Sequence, residues 1–130
     1  MSEILFQCVI PGRARILKNG KAIRLNRKTK RPFIGTNDRY QAWALYASCF
    51  IARANVLKKP IDFPVRLTCK FYFKDHMHEP DLSNAYQGIE DLLQQLHVLK
   101  DDKLIYSHDG SEKIFGEEKE RVEITLSRIT

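Results

Sequence analysis

The stretch from Val65 to Asp102 constrains this chain more than any other. Val65-Arg66-Leu67-Thr68-Cys69-Lys70-Phe71-Tyr72-Phe73 alternates apolar and polar side chains before turning wholly apolar, the pattern of a strand with one buried face. Beyond a polar turn, Ala85, Ile89, Leu92, Leu93 and Leu96 recur at three- and four-residue spacings. Asn84, Gln87, Asp91, Gln94 and Gln95 fill the gaps, so the segment predicts a helix with one buried stripe. Pro80 pre-sets the entry, and Asp81 or Ser83 supplies an oxygen for the orphan amides of the first turn. Gly88 costs this helix roughly 1 kcal/mol relative to Ala, which signals either close packing against another element or a tolerated flaw.

Acidic turns bracket the helix, and they carry the first functional expectation. Asp81 reads either as a cap that complements the helix dipole or as an oxygen ligand for a divalent cation, joined by Asp102 and Asp101 if the fold brings the two turns together beside the helix N-terminus. Asp91 cannot share a first shell with Asp81, because ten helical residues rise about 15 Å. It is therefore expected on the polar face or in a structural hydrogen bond, and Glu90 is equally ambiguous.

The remaining chain predicts one α+β domain over residues 1–130, with a small mixed β-sheet packed against two principal helices. Ile4 to Ile10 reads as an opening strand closed by Pro11-Gly12. Tyr40, Trp43, Ala44, Ala47, Phe50, Ile51, Ala54 and Leu57 form a helical stripe between Asp38 and Leu57, which places Trp43 in the core. Leu104-Ile105-Tyr106 offers a short strand, Asp109-Gly110 a turn, and Arg121 to Leu126 a terminal strand. The intervening SEKIFGEEKE reads as a surface excursion anchored by Ile114-Phe115. Cys8, Cys49 and Cys69 lack paired spacing and sit among apolar residues, which predicts reduced, mostly buried thiols in a cytosolic setting. No export signal is evident and no segment reaches transmembrane length, so no membrane partner is expected.

The net charge of +6 favours an anionic partner. Its densest source is a basic loop or hairpin at about residues 12–35, where Arg13, Arg15, Lys18, Lys21, Arg24, Arg27, Lys28, Lys30 and Arg31 are candidate phosphate contacts, with a soluble basic surface as the alternative. His76 and His78 read as exposed turn residues, and phosphate contact is the functional alternative for His78. His97 and His108 have no partner spacing and receive no catalytic role.

The segment PDLSNAYQGIEDLLQQLHVLKDD resembles the core of the RusA family of Holliday junction resolvases, whose usual pattern is an Asp-x-Asp-Asn turn, a helix with a lysine in its first turns and a distal Asp-Asp turn. Asp81 matches the first aspartate, Asn84 the asparagine, Asp91 the mid-helix aspartate and Asp102 the distal catalytic aspartate, preceded by Asp101. Ser83 and Gln87 depart from the pattern, standing where an acidic ligand and a lysine are usual. The resemblance implies catalytic roles for Asp81, Asp102 and Asp101, with Mg²⁺ (or Mn²⁺) held by Asp81 and Asp102 and with Ser83, Asn84, Gln87 and Asp91 around that shell. It further implies a homodimer acting on four-way or branched junction DNA, in the cytoplasm of a bacterium or encoded by its phage. The departures at Ser83 and Gln87 leave open a DNA-binding or phage-associated structural protein that keeps the fold with reduced chemistry. An RNA-binding module is a third class, without a recognisable aromatic motif.

Overall fold

The computed structural model describes residues 3–15, 22–25, 32–35, 38–77 and 79–129. Its elements in chain order are β1 (Ile4–Pro11), β2 (Ala22–Leu25), β3 (Pro32–Gly35), α1 (Asp38–Ala54), β4 (Val65–Phe73), α2 (Leu82–Gln95), a 3₁₀ turn (Asp102–Leu104), β5 (Ile105–Ser107), β6 (Glu112–Phe115) and β7 (Arg121–Arg128). This is an α+β fold with a mixed sheet and two principal helices.

The alternation between Val65 and Phe73 makes β4 the strand on which the sheet is assembled. Val65, Leu67, Cys69, Phe71 and Phe73 are fully buried, while Arg66, Thr68, Lys70 and Tyr72 lie on the other face. Along one edge β4 pairs antiparallel with β7, and β7 in turn pairs antiparallel with β1. Its other edge takes β5 near its start and β6 near its end, both parallel. A parallel neighbour requires a long crossover, and α2 is that connection. β2 and β3 pair antiparallel as a separate two-stranded ribbon.

A single core joins the buried sheet face to both helices. Phe6, Cys8 and Ile10 from β1 and Val122, Ile124 and Leu126 from β7 meet Tyr40, Trp43, Ala47 and Ile51 of α1 and Ala85, Ile89, Leu92 and Leu93 of α2. Trp43 is buried, with its indole N–H unpartnered among the described residues. Gly88 has a packing reason: a Cβ there would stand 3.5 Å from the Tyr40 ring, so the two helices approach closely at this point. Helix α1 ends at Ala54, short of Leu57, and the Asn55 side chain accepts the Leu57 N–H where the chain turns away.

The cysteine expectation holds except at Cys49, and one local expectation changes. Cys49 is exposed, whereas Cys8 and Cys69 are buried, and burial lifts the Cys8 thiol to about 11 and raises that of Cys69 as well; all three are free thiols. The SEKIFGEEKE excursion contains a sheet strand, β6, aligned with the last four residues of β4 (Lys70↔Glu112 to Phe73↔Phe115). Four residues with mixed polarity show no usable period, so the open edge of β4 decides this element. No described helix is long and apolar enough to cross a membrane.

Candidate active site on helix α2

Helix α2 begins where the loop after β4 is tied down. Arg13, two residues past β1, reaches across to bond Glu120 (2.5 Å), Asp75 (3.3 Å) and the Met77 carbonyl, and its guanidinium lies over the Phe73 ring. Glu120 also accepts the Lys74 N–H at 2.9 Å. The Arg13 side chain is only 15% exposed, so its contacts are internal. Beyond this tether, His76 stacks on Phe115 and pairs with Glu79, and Lys113 of β6 donates to Glu79 (3.1 Å) and to the Pro80 carbonyl (3.1 Å). Those hydrogen bonds hold the Glu79 carboxyl below its usual range.

Asp81 follows directly as the N-cap residue of α2. Its carbonyl accepts the Ala85 N–H at 3.0 Å, but its side chain makes no capping hydrogen bond, and the carboxylate faces solvent. Ser83, Asn84 and Gln87 are exposed along the helix beyond it. Successive turns carry that strip past Asp91 to Gln94, because residues three, four and seven apart share a helix face.

Asp102 belongs to the other end of this helix. Its backbone N–H donates to Gln94 Oε1 at 3.2 Å, and its carboxylate bears on Asp91 and Glu90. Partial burial raises the Asp91 carboxyl first, and the negative charge of Asp102 raises it further. Asp101 caps the 3₁₀ turn by accepting the Lys103 N–H at 2.9 Å; that bond, then the neighbouring Asp102 carboxyl, lowers its own. A shallow open depression lined by Asp91, Gln94, Gln95 and His97 lies on the same end.

The helical run from Asp81 to Gln94 rises about 20 Å, so α2 holds the two acidic turns apart as a rigid spacer. Ligand oxygens stand about 2.1 Å from Mg²⁺, so Asp81 and Asp102 of one chain do not meet on one ion. Among the described residues no three His, Cys, Asp or Glu side chains form a group able to hold a metal. The expected convergence beside the helix N-terminus therefore does not occur within a single chain: the crossover returns Asp102 to the Val65 end of β4, while Asp81 follows its Phe73 end.

The expected basic surface is only partly within view. Arg15 is exposed, and Arg24 occupies a position in β2. Lys18, Lys21, Arg27, Lys28, Lys30, Arg31 and His78 lie outside the described residues. Arg13 is described, and it serves the tether above.

Sequence spacing missed one pair altogether. His108, in the turn after β5, bonds Glu90 through Nε2 and stacks on Tyr86 with ring centroids 4.0 Å apart. The partners are 18 residues apart and on different elements, and no local signal links them. The Glu90 side chain is 13% exposed; burial raises its carboxyl, opposed by His108 and reinforced by Asp102 and Asp91.

A raised carboxyl binds its proton more tightly in the fold than in the unfolded chain. Its contribution to stability is thus complete below the ordinary glutamate value of about 4.3 and is lost as pH rises through the raised value. Glu90→Gln, which keeps an oxygen for His108, should flatten that decline. Urea unfolding at intervals from pH 4 to 7 checks it: the stability difference between the two proteins should move in favour of the variant as pH rises. A constant difference would mean that Glu90 titrates alike in both states.

Comparison with known protein families places these residues in context. A family model described as endodeoxyribonuclease RusA matches residues 12–127, which begins just past β1 and takes in both helices, both acidic turns and nearly all of β7. No curated protein matches the chain.

Proposed function

Because the chain belongs to the RusA endodeoxyribonuclease family, we propose that it is a Mg²⁺-dependent, structure-selective endonuclease that cuts four-way or branched DNA as a symmetric homodimer. Membership of that family supports a resolvase-type nuclease activity in general. The match over residues 12–127 carries the proposal, since it spans every acidic residue considered above.

The separation of Asp81 from Asp102 gives the dimer a specific task. A two-fold axis that sets two copies of α2 antiparallel would bring Asp81 of one copy toward Asp102 of the partner subunit, and the same operation generates a second, equivalent pair. Two symmetry-related sites suit a junction, in which two strands must be cut. A divalent cation bound by such a pair would supply charge stabilisation and an activated water. This chain's own contribution is to keep Asp81 uncapped and solvent-facing and to hold Asp102 through Gln94. Arg15 and the basic segment around β2 and β3 would position the DNA backbone, with the salt dependence that phosphate contacts bring.

Ser83 and Gln87 favour a second reading, in which a neutral helix face binds junctions without cutting them. A synthetic four-way junction and a linear duplex of the same sequence separate the two. The nuclease should cut the junction in Mg²⁺ or Mn²⁺, spare the duplex and stop in EDTA. Tight junction binding with no product across both metal titrations would instead establish the binding protein.

A further inference from the structure

Lys113 is out of place for an ordinary surface lysine. In the parallel register it stands beside Phe71, and two residues on, Phe115 stacks on Phe73, with ring centroids 5.5 Å apart. Alternation along a strand puts Lys113 on the same face as Phe115, which is the helix-covered face of the sheet. Its side chain is 26% exposed, and it rises past Phe115 to end at the Pro80 carbonyl, one residue before Asp81.

We infer that Lys113 is the phosphate-binding cation of the Asp81 end of the site, contacting the phosphodiester to be cut. This deepens the nuclease reading and rests on it. Helix α2, LSNAYQGIEDLLQQ, contains no Lys or Arg, so positive charge at its N-terminal end has to come from another element. Lys113 comes from β6 and is already held by two acceptors: among the described residues Glu79 and the Pro80 carbonyl take two of the three ammonium donors, which leaves one for a ligand. A cation fixed before the substrate arrives needs little reorganisation as charge develops on a transferring phosphoryl group. Stability does not account for the arrangement, because ion pairs with partners this exposed contribute little. The structural alternative is that an inward-facing lysine guards the open edge of β6 against pairing with other chains.

The closing experiment uses the full chain with Lys113→Met, which retains an apolar stem, Lys113→Arg, and Lys113→Met combined with Gln87→Lys. A helical side chain leans toward the helix N-terminus, so a lysine at 87 extends toward Ser83 and the Asp81 turn. Single-turnover cleavage of a four-way junction in Mg²⁺ is measured beside junction affinity in EDTA. Lys113→Met should slow cleavage by about 10²-fold or more, the scale for removing one preorganised contact. Affinity should change by only a few fold, and Gln87→Lys should restore a substantial part of the rate. Gln87→Lys alone is measured beside them: a larger gain in the Lys113→Met background than in the starting protein marks a shared charge role, and an equal gain in both overturns the inference. Cleavage at the starting rate in Lys113→Met, or rate and affinity falling together without rescue, overturns the inference and leaves the nuclease reading in place. A starting protein that cuts no junction in either metal overturns both.

Discussion

Asp81→Asn and Asp102→Asn proteins, each inactive alone, should regain junction cutting when they are mixed. Each substitution removes a carboxylate charge while keeping its shape and an oxygen, and both residues are exposed, so the folds should persist. Each homodimer then lacks one member of every composite pair, and cleavage should fall by at least about 10³-fold, the upper scale for losing one electrostatic contact. After subunit exchange about half of the dimers are mixed. In a mixed dimer one composite pair carries both substitutions and the other carries neither. The product should therefore be a junction nicked in one strand, since only one site survives. A site complete within one chain predicts the opposite, because both subunits of the mixed dimer would remain defective. The measurement is the rate of strand scission after co-refolding, with circular dichroism and size analysis on every sample. Failure of the mixture to exceed either parent would exclude the antiparallel arrangement.

Arg13→Ala should destabilise the protein by about 2 kcal/mol, the range for losing hydrogen bonds to charged groups, and slow cleavage more than it weakens DNA binding. Arg13 engages Glu120, Asp75 and the Met77 carbonyl and covers Phe73, so truncation leaves a partly buried Glu120 without its cation. The turn from Lys74 to Met77 then loses its tie to the segment after β1, and that turn leads toward the Pro80 carbonyl, which Lys113 bonds, and Asp81. Arg13→Lys should recover only part of the loss, because an ammonium cannot reproduce a planar fork that serves several acceptors at once. Denaturant unfolding gives the stability, and cleavage and affinity measured across a salt series give the function. An unchanged midpoint, together with a fall in affinity that shrinks at high salt, would return Arg13 to the set of phosphate contacts.

Much of the fold is written in local periodicity. The alternation in β4 and the three- and four-residue recurrence in α2 depend on neighbours a few positions apart, and both elements form as that spacing requires. The rise per residue in α2 likewise separates Asp81 from Asp91 before any tertiary contact is considered. The edge of β4 decides what periodicity cannot. It recruits β5 and β6 in parallel, so Asp102 returns to the start of β4 and Lys113 comes to its end. The same pairing sets His108 against Glu90. Glu112 to Phe115 is too short and too mixed in polarity to declare itself a strand, yet its backbone groups find partners on an open edge and its Phe115 ring finds Phe73. The residue types of a candidate nuclease site are thus legible in the chain, because a cap, an acidic turn and a polar helix face are local features. Which of them stand together was decided only by the tertiary structure, because a parallel pairing across a rigid helix sends residues close in sequence to opposite ends of the sheet.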